Sequence, residues 1–395
     1  MSHASGFRTI SVEDACEQVS VGIVIQPSQY YTDEASGVKA FRSANIGSGR
    51  INDRNWVYIS QDGHKKNRKS ELKAGDVLVV RSGAPGTSCV VTNEFAGSNC
   101  IDIVFARPKK NIVTPEYLSL FTNSEVGKRQ IAATQGGLAL KHFNVGAYKK
   151  MIIDIPGTKE QATITSLLSS WDFAIEKAER LIAAKENSYS WYIRTLIDDN
   201  CSNWKHLRAD KIFKSVSEKG NGGAELLSVT QARGVIPRTM LEGRVMSPEG
   251  GTDSYKLIKK GDFAISLRSF QGGIEYSQYQ GLISPAYTVL RPKIELHDEF
   301  YRHFFKSYLF IEKYLSIAVI GIRDGKQISI PDFMTVKIPL PPIDQQKEIA
   351  SILNTARQEI DLLKKQAEAY RKQKRGLMQR LLTGEWRVRT GKEAA

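Results

Sequence analysis

From Ile164 onward, apolar or small residues recur at positions 164, 168, 171, 175, 178 and 182, and the same spacing returns at 349, 353, 356, 360, 363 and 367. A 4-3-4-3-4 spacing is the heptad seam of a coiled coil. The seam is interrupted by Lys185 in the first copy and by Lys374 in the second, and it resumes beyond each break. Its main members are Ile164, Leu168, Trp171, Ile175, Ile182 and Leu196 in the first segment, and Ile349, Leu353, Ile360, Leu363, Leu377 and Leu381 in the second. Each segment runs for roughly 40 residues with no proline and almost no glycine, which predicts two helices about 60 Å long at 1.5 Å per residue. Packing each helix on its own domain is the plainer reading. Matching heptads with matching breaks favour packing on each other.

The two segments also begin alike. IDIPGTKEQATITSLL and IPLPPIDQQKEIASIL place Pro156, Gln161, Ile164 and Leu168 a constant 185 residues before Pro341, Gln346, Ile349 and Leu353. Proline disfavours helix at the residue before it and donates no amide hydrogen bond, so Pro339, Pro341 and Pro342 hold the approach extended until Asp344. In the first copy Pro156 and Gly157 do this, and Thr158 with Gln161 has the spacing of a capping box.

Upstream of each helix lies a region of short strands and turns. The first holds GDVLVVRSGAPGTS from Gly75 and an Arg-Pro pair at Arg107; the second holds GDFAISLRSFQGG from Gly261 and an Arg-Pro pair at Arg291. The repeat therefore covers the domains as well as the helices. The expected fold class is α+β: two mixed α/β domains in pseudo-twofold arrangement, separated by two long helices that form an antiparallel coiled coil. The expected boundaries are a first domain over 1–155, a central helix over 156–200, a second domain over 201–340, a C-terminal helix over 341–385 and a tail over 386–395.

Charge then narrows the partner. Lys and Arg number 56 against 42 Asp and Glu, a formal +14, which favours a polyanion. Cys16, Cys89, Cys100 and Cys201 are scattered, without a C-x-x-C pair, and read as reduced structural thiols. The six histidines show no metal-ligand spacing. GIRDGKQ fails the phosphate-loop pattern, GSGRIN lacks the third glycine of a dinucleotide fingerprint and reads as a turn, and no G-x-S-x-G or H-E-x-x-H is present. No apolar stretch is long enough to span a bilayer and no signal-peptide core precedes the first domain, so a cytoplasmic, non-catalytic protein with no metal is expected.

Basic residues interleaved with amides in loop contexts supply candidate DNA contacts. In the first domain these are Arg50, Arg54, Lys65, Lys66, Arg68, Lys69, Arg81, Gln135 and Lys141; in the second they are Gln231, Arg233, Arg238, Arg268, Gln271, Arg323, Lys326 and Gln327. Arg and Lys recognise guanine edges, Gln recognises adenine, and all reach phosphates. The lysine-rich run at 64–69 suits phosphate better than base edges. A lone surface arginine is, at each position, equally readable as a solvated charge.

Two domains alternating with two long helices, the I-x-x-P-P-x-x-x-Q-x-x-I helix start at Ile338 to Ile349 with its weaker copy ahead of Ile164, and the terminal KRGLMQRLLTGEWR together resemble the specificity subunit, HsdS, of type I restriction-modification systems. That resemblance implies a non-catalytic subunit whose two target recognition domains each read one half of a split double-stranded DNA site. It implies that the helices set the gap and dock two methyltransferase subunits, which bind S-adenosylmethionine and flip the target base. It further implies two restriction motor subunits that use ATP and Mg, and no cofactor on this chain. A coiled-coil adaptor whose duplicated domains bind protein is the alternative reading.

Overall fold

Each long helix starts where a proline-marked strand stops. The strand Ile152–Ile155 runs into Pro156 and the helix Thr158–Ile193, and the strand Lys337–Leu340 runs into Pro341, Pro342 and the helix Ile343–Leu382. The computed structural model describes residues 6–134, 143–219, 223–241, 251–266, 274–320 and 327–389. It divides into two compact units, Met1–Lys177 with Gln366–Ala395, and Ala178–Lys365. Each unit thus holds one mixed domain with a part of both long helices.

Inside each unit the domain is closed by its own ends. The opening strand Arg8–Ser11 pairs antiparallel with Ile152–Ile155, and Lys205–Arg208 pairs antiparallel with Lys337–Leu340. The next layer repeats strand for strand. An antiparallel sheet takes Cys16–Val21, Ile103–Pro108, Val77–Val80 and Ser88–Val90 in spatial order, and its counterpart takes Phe213–Val216, Tyr287–Pro292, Phe263–Ser266 and Ile274–Tyr276. The first domain adds a second four-stranded sheet containing Gly37–Phe41 and Val57–Ser60.

The repeat markers in the sequence are held together by a buried ion pair. Arg107 clamps Asp76 through two bonds of 2.8 and 2.7 Å, and Arg291 clamps Asp262 with 2.9 and 2.8 Å. Both aspartates are almost wholly buried, and each also accepts a backbone amide, Lys73 N–H at 2.8 Å or Lys259 N–H at 2.9 Å. The glycine before each aspartate has a φ near +90°, 91° at Gly75 and 88° at Gly261, a conformation that costs other residues steric strain. Gly-Asp and Arg-Pro are therefore the two sides of one contact.

The helix starts differ from the capping-box expectation. Gln161 does not turn back to Thr158: its side chain donates to the Pro156 and Ile112 carbonyls at 2.9 Å and accepts the Thr114 N–H at 2.8 Å. Gln346 does the same, donating to the Pro341 carbonyl and accepting the His297 N–H, both at 2.8 Å. Both glutamines are fully buried, so burial selects the partners that lack any other, and the amide is used to join the helix to its domain. A tyrosine adds a parallel tie: Tyr117 Oη donates to the Asp154 carbonyl and Tyr301 Oη to the Pro339 carbonyl, each at 2.9 Å.

The helices pair antiparallel within each unit. Trp171 meets Tyr370 edge to face at 5.8 Å and Asp172 pairs with Lys374; in the other unit Lys185 reaches Glu359 at 2.8 Å and Glu186 reaches Lys364 at 2.6 Å. The two lysines that interrupt the heptads, Lys185 and Lys374, both cross to carboxylates. Of the seam residues, Ile164, Leu168, Ile349, Leu353, Ile360 and Leu381 are buried, while Trp171, Ile175, Ile182, Leu363 and Leu377 are partly buried. Leu196 is only partly buried, while Ile193 and Ile197 are buried on either side of the start of a π-helical turn at Arg194–Asp198.

Two substitutions test these ties. Gln346→Ala leaves a buried amide and a buried carbonyl unpaired and is expected to lower stability by about 1–3 kcal/mol. Arg291→Met strands Asp262 as a buried charge and is expected to cost about 3–5 kcal/mol. Urea unfolding measures both, and a change under about 0.5 kcal/mol in either shows that tie to be dispensable.

Candidate nucleic-acid interface

In the first domain the GSGR stretch forms a tight hairpin turn between Ile46–Gly47 and Arg50–Ile51, with Gly49 at φ 71°, and it presents Arg50 to solvent. Arg54, also exposed, lies on a braced loop: Asn45 donates to its carbonyl at 2.8 Å and Arg42 donates to the Asn55 carbonyl at 2.9 Å. Beside them Lys39 lies over the stacked rings of Trp56 and Phe95, at 5.2 and 5.3 Å. The backbone around these arginines is therefore preorganised.

The lysine-rich run is not a loop. Gln61–Lys66 is a short α-helix, N-capped by Ser60, and Arg68–Ser70 is a 3-10 turn. The helix forms because Ser60 Oγ accepts the Gly63 N–H at 3.1 Å, and Gly63 lets it press onto Tyr30. Lys65, Lys66, Arg68 and Lys69 are all exposed; Lys66 is paired with Asp62 at 2.8 Å and Arg68 with Glu71 at 3.6 Å. Arg81 is committed inward, its side chain bonding Asp102 and, at 3.1 Å, the Phe143 carbonyl.

In the second domain TQARG is the hairpin turn between Leu227–Thr230 and Gly234–Pro237, closed by the Thr230 hydroxyl. Gln231 and Arg233 are exposed on it, and Arg233 donates to the Met240 carbonyl at 3.0 Å. Arg238 packs over Tyr255. Gln327 lies in the short strand Gln327–Ile328. Gln135, Lys141, Arg268, Gln271, Arg323 and Lys326 lie outside the described residues.

Pattern reading missed Arg302, Lys306 and Arg357. All three line a cleft of about 360 Å³ in the second unit, together with Gln231 and Arg233. The first two sit on or just after the helix Asp298–Phe304 and the third in the heptad region, where a charge reads as a solvated face. At the cleft floor His303 is buried, accepting from Tyr189 Oη at 2.7 Å and donating to Asn354 Oδ1 at 2.8 Å; Asn354 in turn donates to Glu299 at 2.6 Å. Burial pushes the His303 pKa down to about 4; the Asn354 bond opposes this, and the Arg302 and Arg357 charges add to it.

The four cysteines are free and buried, and burial pushes the Cys16 and Cys89 thiols up to about 12. Among the described residues no group of three or more His, Cys, Asp or Glu is placed to hold a metal, and no helix is long and apolar enough to cross a membrane.

Residues 27–186 and 207–369 each match the family model described as the type I restriction modification DNA specificity domain. The chain belongs to this DNA specificity family. Each matched stretch contains the buried Asp–Arg clamp and the glutamine tie of its domain. A putative type I restriction enzyme MjaX specificity subunit from Methanocaldococcus jannaschii is 24% identical over 320 residues, covering 73% of this chain and 72% of that protein. The EcoBI specificity subunit of Escherichia coli is 23% identical over 168 residues, 42% of this chain and 35% of that one. The fold is that of the HsdS subunit from Thermoanaerobacter tengcongensis, with TM-score 0.51 at 16% identity over 98% of this chain and 99% of that one. A chain from a structure described as the basis of complex assembly and conformational transition of the type I R-M system matches at TM-score 0.60 and 15% identity, over 98% and 100%. As a member of the specificity family, the chain has DNA recognition as its role.

The His303 network makes the second specificity domain sensitive to acid. Its folded pKa lies below the unfolded value near 6.5, so the unfolded chain binds more protons between about pH 6.5 and 4 and stability falls as pH drops through that window. The loss relative to pH 7 reaches about 3 kcal/mol below about pH 4. Urea midpoints from pH 7.5 to 4.5 are expected to fall more for the wild type than for His303→Gln; parallel curves overturn the assignment.

Proposed function

We propose that each specificity domain reads one half of a bipartite double-stranded DNA site, that the two long helices set the unread gap, and that this chain itself performs no catalysis. The observation that carries the reading is the pairing of a repeated scaffold with unrepeated loops. The Asp–Arg clamp and the glutamine tie recur in both domains, whereas the exposed hairpins carry Ser48, Gly49 and Arg50 in one and Gln231, Ala232 and Arg233 in the other. Two such readers on one chain suit an asymmetric site.

In this reading Arg50, Arg54, Gln231 and Arg233 approach base edges, and Lys65, Lys66, Arg68 and Lys69 supply phosphate contacts. The chain acts with two methyltransferase subunits, which carry S-adenosylmethionine, and in the restriction form with two motor subunits, which carry ATP and Mg. The family match and the likeness to a type I complex component support partners of this kind. Such a complex works where the DNA is, in the cytoplasm. A protein-binding adaptor does not account for the DNA specificity match.

Mapping of methylated adenines in cells carrying this chain and its methyltransferase is expected to return one split motif. Insertion of seven residues into each long helix is expected to widen the gap while both half-sites persist. An unchanged gap removes the helices from that role, and methylation without a split motif overturns the two-reader reading.

A further inference from the structure

The two units each have a cleft between the domain and its own stretch of the long helices, and the two clefts differ in charge. In the first unit the cleft is about 750 Å³ and its lining balances Lys110 and Lys374 against Glu116 and Asp172. In the second it is about 360 Å³, and its lining carries Arg233, Arg302, Lys306 and Arg357 against Glu275 alone. Glu275 is already paired with Lys306. Asp361, one turn along the helix, is 3.5 Å from Arg357, and the cleft lining with it still carries more cations than carboxylates.

The first unit shows that the fold does not require these charges. Tyr117 and Tyr301 make the same hydroxyl bond in the two domains, which aligns Arg302 with Leu118 and Lys306 with Thr122. The strand pairing aligns Glu275 with the buried Cys89, since Ala264 and Leu78 are their respective partners. The 185-residue shift aligns Arg357 with Asp172. Thus four positions that are apolar, neutral or acidic in one copy become three cations and one carboxylate in the other, on the same scaffold. Like charges gathered in a partly desolvated cleft repel each other, so their retention without a structural need points to an anionic ligand.

The surroundings agree. Arg302 is laid over the Tyr276 ring at 5.6 Å, which orients its guanidinium without neutralising it. The His303 ring beneath is kept neutral by its burial, so it adds no charge of its own to the cleft. The exposed hairpin bearing Gln231 and Arg233 forms the rim, which makes the cleft continuous with the proposed reading surface of the second domain.

We infer that this cleft is a phosphate clamp for the DNA backbone beside the half-site read by the second domain, with Arg302 and Arg357 as its principal contacts. The inference rests on the reading given under Proposed function. It makes the two halves of the protein unequal: the second half-site is gripped through the backbone at the helix junction, and the first is not.

The test is duplex binding by the assembled complex with its methyltransferase, across a salt series, on its own motif and on unrelated DNA. Each arginine that neutralises a phosphate contributes about 0.9 to the slope of log affinity against log salt. Arg302→Gln with Arg357→Gln is expected to reduce that slope by about 1.8 and to leave the ratio between motif and unrelated DNA unchanged. Arg302→Lys with Arg357→Lys keeps both charges and is expected to keep the slope, which separates lost charge from lost folding. An unchanged slope in the glutamine variant overturns the clamp, as does an equal loss in the lysine variant or a collapse of motif preference. A wild-type complex without motif preference instead overturns the underlying reading of the function.

Discussion

A buried glutamine amide at the head of each long helix is the contact on which the rest depends. It faces three constraints at once: a carbonyl next to a proline, a backbone N–H ahead of the domain's own helix, and the first turn of the long helix. Gln161 and Gln346 meet them with the same bonds at nearly the same lengths. A buried amide group without a partner is costly, so the angle at which the helix leaves its domain is set by hydrogen-bond satisfaction rather than by packing alone. Packing then follows, with Leu168 and Leu353 joining the aromatic and aliphatic cores of their own units.

The second duplicated device acts inside the domain. A bidentate arginine on a buried aspartate is a weak source of net stability, but removing either partner is expensive, so it selects one arrangement of the sheet over others. Because Asp76 and Asp262 also accept the amide three residues earlier, the clamp fixes the turn that carries the positive-φ glycine. With the sheet and the helix start both secured, the connecting hairpins are released from structural duty. Their residues can differ between copies without disturbing the frame, which is the property a sequence reader needs.

Charge follows the same division. Lysines that break the heptads cross to carboxylates on the neighbouring helix and serve the frame. Arg302 and Arg357 of the second cleft align with Leu118 and Asp172 in the first copy and serve something other than the frame. Comparison of the two copies in one chain therefore separates scaffold from function where a single domain does not.

The duplication, the helix starts, the heptad seam and the basic balance were all legible along the chain, because periodicity and proline act locally and leave their mark in residue order. Gly-Asp and Arg-Pro were visible as markers of the repeat. Their meeting as an ion pair was not, since 31 residues separate Asp76 from Arg107 and only the sheet register brings them together. The glutamine ties, the inner placement of Ile193 and Ile197 and the cleft built from Arg302, Lys306 and Arg357 were likewise decided by tertiary structure. The physical reason is common to these: which polar group a buried side chain satisfies, which apolar side chain is covered and which charges converge depend on distances across elements that residue spacing does not contain.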